Sequence, residues 1–165
     1  MMLAARADQR VLGYLGRALS LELSAVQLYS TQSRLVASWG LSEAAARLRA
    51  ESEEELAHVD LIIERMLAVG VAPNASQLRS VRLGRDLSAL LNINRQFEQE
   101  LIRLYEQAAS HCARVGDHDD RVFFQGLLED EQHHYDELVS WLGQLQQAPP
   151  QDPRHQTTAA RHTRR

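Results

Sequence analysis

Apolar positions along this chain recur at the period of an α-helix. Leu12, Leu15, Leu19, Val26 and Leu35 repeat at helical spacing, which predicts a first helix from about Asp8 to Trp39. Gly40 ends it in a position that tolerates positive φ. Ser42 is placed to cap a second helix that reads to about Val69 and stops at Gly70. A connection of one or two residues makes these two helices antiparallel neighbours. Residues 70–85 carry Pro73, Asn74 and Gly84, hold no sustained period and read as a linker. A third helix is expected from about Asp86 to Arg114. A short turn over Gly116–Asp120 follows, with Asp117 or Asp119 as cap, and then a fourth helix to about Gln147. A helix of 28 residues is about 42 Å long, and 16 extended residues reach up to about 53 Å. The linker can therefore run the length of a bundle and start the third helix at the far end. The pattern predicts a four-helix bundle with one long crossover.

Composition agrees with an all-α fold. Leu, Ala, Glu, Gln and Arg dominate, and these are strong helix formers. Glycine is sparse, and all four prolines lie outside the periodic stretches. The single Cys112 excludes a disulfide framework within the chain and any cysteine-only metal cage. No run approaches a membrane span and no signal peptide is evident, so the expected location is cytoplasmic. The formal charge of −4 is uneven. Residues 148–165 carry four Arg against one Asp, leaving an acidic body and a basic end. The expected organisation is a bundle over residues 1–147 and a flexible basic tail over 148–165, since Pro149, Pro150 and Pro153 forbid helical continuation.

Candidate chemistry comes from a repeat. Glu22 is followed by Tyr29, Gly40, Glu55 and His58, and Glu98 by Tyr105, Gly116, Glu131 and His134. Each member of the second set lies 76 residues after its partner. With 13 Glu and 7 His, one Glu-x-x-His arises by chance about half the time. Two copies at one offset, each with its own upstream Glu, Tyr and Gly, are much harder to obtain by accident. Residues three apart on a helix lie on one face, one turn apart, so each Glu-x-x-His can grip one ion. Glu22 and Glu98 add a carboxylate each. Glu22 sits among Leu19, Ala25 and Val26, and the first Glu-x-x-His among Leu56, Leu61 and Ile62. Unpaired carboxylates buried there would cost several kcal/mol each, as a rough figure, and two divalent cations would neutralise them. Glu55 and Glu131 are placed to bridge, with Glu22 and His58 completing one metal's ligands and Glu98 and His134 the other's. Such a donor set suits iron or manganese, with zinc as a substitute. It is the pattern of di-iron carboxylate bundles. Tyr29 and Tyr105, two turns along the same faces, could hydrogen-bond a metal-bound carboxylate. His111, His118 and His133 read as surface residues.

From about Leu12 to Leu142 the chain resembles bacterioferritin, within the ferritin-like superfamily. The resemblance rests on L-x-L-E-L-S-A-V-x-L-Y around Glu22 and Tyr29, on Trp39-Gly40, and on E-E-E-L-A-H ending in His58. The I-E-R-M-L helix end, the later P-N, and E-D-E-Q-H-H around Glu131 add to it. It implies a ferroxidase that oxidises Fe(II) with O2 or H2O2 at an intrasubunit site of two iron ions and stores the ferric product in a hollow homo-oligomeric shell. All six ferroxidase ligands have counterparts: Glu22, Glu55, His58, Glu98, Glu131 and His134.

Three departures shape further expectations. The methionine that binds haem between subunits is replaced by Leu56, so no haem is expected. The inner-surface iron pair is replaced by Ala50 and Glu54, so that auxiliary site is impaired. The fifth helix of the 24-subunit cage is replaced by A-P-P-Q-D-P-R-H. A four-helix protomer with a basic tail looks more like a Dps-type mini-ferritin, which favours a 12-subunit shell over the 24-subunit one. An alternative function follows, a Dps-like DNA-protecting or DNA-acting protein whose Arg154, Arg161, Arg164 and Arg165 contact phosphates. A rubrerythrin-type oxygenase or peroxidase lacks support, because there is no Cys-x-x-Cys module.

Overall fold

The computed structural model describes residues 8–148. Arg154, Arg161, Arg164 and Arg165, and with them the expected DNA contacts and most of the basic tail, lie outside the described residues. Four helices form: α1 (Gln9–Ser38), α2 (Ser42–Ala68), α3 (Leu87–Val115) and α4 (His118–Gln147). Among the described residues there is no strand and no fifth helix, and no helix is long and apolar enough to cross a membrane.

Local chemistry explains the helix ends. Asp8 caps α1 by accepting from the Arg10 and Val11 amides, and Asp86 caps α3 by accepting from Ala89. Of the two candidates for α4, Asp117 is the cap, accepting from the Asp120 amide. Ser42 does not cap α2. It is the first helical residue, Leu41 holds the cap position, and no side chain bonds there. Gly40 has φ +82°. Its amide bonds the Ala37 carbonyl and that of Leu41 the Val36 carbonyl, which reverses the chain into α2.

α1 packs along α2 and α3 along α4, and the two pairs meet through α1 and α3. Residues 71–84 have no helix or strand. This crossover is stitched to α1 by two serines: Ser20 Oγ accepts from the Gln77 amide and Ser24 Oγ from the Arg79 amide, both at 3.0 Å. Arg79 also pairs with Glu100 of α3 at 2.6 Å and lies over the Phe97 ring.

The apolar core is not continuous. One cluster runs from Val11 and Leu15 through Ile62, Leu101, Tyr105 and Phe124, and a second gathers Val36, Leu48, Leu90, Leu91, Leu138 and Trp141. Between them every helix turns a polar side chain inward: Gln32 on α1, Ser52, Glu55 and His58 on α2, Asn94 on α3, and Glu131 and His134 on α4, all buried. An apolar stripe interrupted at one level on four helices is what places chemistry inside this bundle.

Candidate metal centre

The six residues singled out by the repeat converge at that level. Glu22, Glu55 and Glu131 are fully buried, Glu98 is 1% exposed, His58 5% and His134 7%. They form two groups whose ligand atoms lie within 4.8 Å of one another: Glu22, Glu55, His58 and Glu131, and then Glu55, Glu98, Glu131 and His134. Glu55 and Glu131 belong to both. The surroundings of the first Glu-x-x-His differ from expectation. Ile62 is fully buried, but Leu56 is 48% and Leu61 46% exposed. Leu56, directly after inward-facing Glu55, turns about 100° away from it.

Both imidazoles point Nδ1 at the carboxylates. His58 Nδ1 lies 3.0 Å from Glu55 Oε2, 3.0 Å from Glu131 Oε1 and 3.6 Å from Glu22 Oε1. His134 Nδ1 lies 3.1 Å from Glu55 Oε1 and 3.2 Å from Glu131 Oε2. The rings stack with centroids 5.7 Å apart. Two carboxylate oxygens, Glu22 Oε2 and Glu98 Oε2, are buried with no hydrogen-bond partner, while Glu55 Oε1 and Glu131 Oε1 face only the imidazoles of His134 and His58. An orphaned buried acceptor loses its hydration without replacement. Together the four buried carboxylates and the two imidazoles form a donor set shaped for cations, in two groups that could each hold a metal ion.

The tyrosines support the glutamates, but crosswise. Tyr29 of α1 donates its hydroxyl to Glu98 Oε1 of α3, and Tyr105 of α3 donates to Glu22 Oε1 of α1. Each phenol serves the carboxylate of the other half of the repeat. Beside them Gln32 and Asn94 exchange two amide hydrogen bonds, both 2.7 Å. Sequence reasoning passed over this pair. Its signal was present: one amide on each of two otherwise apolar faces, three residues after Tyr29 and four before Glu98.

Electrostatics show how tightly the charges are coupled. Burial, then the charges of Glu55 and Glu131, push the Glu22 and Glu98 carboxyls well above the usual range. For Glu55, burial and the Glu131 charge oppose ionisation, but hydrogen bonds from both histidines outweigh them and hold it below its ordinary value. Glu131 is held down in the same way by His134 and His58. Burial disfavours the imidazolium of His134, yet the carboxylates of Glu131 and Glu55 push its pKa up to about 11, and His58 is raised further still.

The other histidines divide. His118 and His133 are exposed, and His133 pairs with Glu137. His111 corrects the surface expectation. It is 5% exposed, bonded through Nε2 to Asp8 at 3.0 Å and packed beside Tyr14, at the end of the bundle far from the carboxylates.

Comparison with known proteins fits this geometry. The family described as the ferritin-like domain matches residues 12–148. The bacterioferritin of Rhodobacter capsulatus is 34% identical over 146 residues, 88% of this chain and 91% of that one. That of Brucella melitensis is 31% identical over 85% of this chain and 87% of its own. A solved structure of the Rhodobacter capsulatus protein, with a metal-free dinuclear site and haem iron in a crystallographic special position, superposes with a TM-score of 0.84.

Two expectations are corrected by these relatives. The absence of haem does not stand, because that bacterioferritin structure contains haem iron. The expectation reasoned from Leu56 alone, which removes one ligand. A porphyrin is also held by apolar surface, and exposed Leu56 supplies some. The preference for twelve subunits over twenty-four is overturned as well, since the relatives are bacterioferritins, proteins of 24-subunit shells. That preference rested on the residues from Ala148 onward, whereas the family match spans residues 12–148.

Proposed function

This chain belongs to the ferritin-like family, and from that premise we propose that Glu22, Glu55, His58, Glu98, Glu131 and His134 hold a pair of Fe(II) ions side by side for oxidation. The chain is a ferroxidase and iron-storage protein with a bacterioferritin-type di-iron site. Iron is its substrate and cargo. Two adjacent Fe(II) ions supply two electrons to an oxidant such as dioxygen or hydrogen peroxide. We propose the 24-subunit shell of its relatives as the assembly.

The observation that carries this reading is the convergence of four buried carboxylates and two buried imidazoles into two groups that share Glu55 and Glu131. Each residue then has a defined task. Glu55 and Glu131 reach both ligand groups and set the spacing between the two positions. Glu22 and Glu98 close the ends, each fixed by the phenol of the opposite half. His58 and His134 present Nδ1, a neutral nitrogen donor once its proton leaves. The apolar clusters above and below keep bulk water from the centre, which strengthens every charge interaction within it.

Stopped-flow mixing of Fe(II) with the aerobic protein tests the assignment. Glu131→Ala and Glu55→Ala should each abolish the fast oxidation phase, a loss of at least about 100-fold, with helix content by circular dichroism unchanged. A fast phase of wild-type amplitude in both variants would refute the assignment.

A further inference from the structure

The outward nitrogens of the two histidines are also engaged, and by residues outside the ligand set. His134 Nε2 lies 2.7 Å from Glu54 Oε2. His58 Nε2 is hydrogen-bonded to Asp130 Oδ2 at 3.3 Å. The two acids are counterparts in the repeat: Glu54 directly precedes Glu55, Asp130 directly precedes Glu131, and they stand 76 residues apart. Both contacts cross the bundle. Glu54 of α2 reaches the imidazole of α4, and Asp130 of α4 reaches the imidazole of α2.

These acids have no need of the contacts for their own sake. Their side chains are 57% and 59% exposed, so water could satisfy both carboxylates fully. What the contacts change is the histidine. A neutral imidazole carries one N–H. A carboxylate acceptor at Nε2 keeps the hydrogen there and leaves the Nδ1 lone pair facing the glutamates. The same contact fixes the rotation of the ring. The one partner the structure gives the Glu54 carboxylate is His134.

We infer that Glu54 and Asp130 are positioning residues for the ferroxidase reaction: crossed carboxylates that hold His134 and His58 in the tautomer and orientation needed to bind metal through Nδ1. The inference rests on the metal-centre reading above. It makes each metal position depend on an exposed acid from the opposite helix pair.

Equilibrium Co(II) binding, followed by visible absorption under argon, tests it without any turnover. The assembled wild-type shell should bind two Co(II) per chain. Glu54→Ala and Asp130→Ala should each weaken one of the two positions by about 10- to 100-fold. Glu54→Gln and Asp130→Asn keep an acceptor oxygen and should restore binding to within a few fold of wild type. Both substitutions are at exposed positions, and circular dichroism would verify the fold. Alanine variants within twofold of wild type would overturn the inference. Amide variants as weak as the alanine ones would overturn it too, because charge rather than a held ring would then be at stake. A wild-type protein that binds no Co(II) would remove the metal-centre reading itself, and this inference with it.

Discussion

At the scale of single residues the centre is a balance of protons. With protons as the only counter-charge, the site favours imidazolium at His58 and His134, the neutral acid at Glu22 and Glu98, and the carboxylate at Glu55 and Glu131. Divalent cations displace protons from this set, so binding should release protons near pH 7 and tighten as pH rises. Zn(II) added to weakly buffered protein with an indicator dye would measure this, and no proton release would contradict it. Stability follows the same groups. His134, raised to about 11, stabilises fully below the unfolded value near 6.5, and that contribution is lost as pH climbs through the folded value. Glu55 and Glu131, both lowered, stabilise above about 4.5 and lose this as pH falls. Glu22 and Glu98, both raised, destabilise the fold once pH passes the unfolded carboxyl value. Chelator-treated protein should therefore have a lower Tm at pH 9.5 than at pH 6, by several degrees. A Tm that rises over that interval in thermal melts would contradict these protonation states.

Among the helices, much was legible in the sequence and the limits have physical causes. Helical period and the glycines and aspartates at the ends marked α1 to α4 to within a residue or two, because caps are local chemistry. The repeat pointed to six residues that the fold brings together, because helix geometry alone puts Glu and His on one face. Which half serves which was not legible. Tyr29 bonds Glu98 and Tyr105 bonds Glu22 because α1 and α3 face each other, and spacing along one helix carries no such information. His111 was misread for the same reason, since its partner Asp8 lies 103 residues away. Leu56 and Leu61 look like core by residue type, yet lie on the outward side of α2. Two substitutions test the local account. Asp117→Ala removes the cap of α4 and should cost about 0.5–2 kcal/mol in urea unfolding. Gly84→Ala should cost about 1–3 kcal/mol, because a Cβ there would come within 2.7 Å of Ala89 Cβ and 3.1 Å of the Leu90 nitrogen. Unchanged midpoints in both would show that these helix starts are not held as described.

For the whole molecule, the design is a bundle whose core is divided by a charged layer. Two apolar clusters supply stability, and the layer between them supplies chemistry that only counter-cations, or the protons standing in for them, make tolerable. A shell of 24 chains should give a light-scattering mass near twenty-four times 18.7 kDa, and half that value would contradict the proposed assembly. The central claim concerns the inside of each bundle, and anomalous diffraction at the iron edge tests it most directly. Crystals soaked anaerobically in Fe(II) should show two peaks per chain, one among Glu22, Glu55, His58 and Glu131 and one among Glu55, Glu98, Glu131 and His134. Iron peaks elsewhere in the crystal with none between these side chains would contradict it.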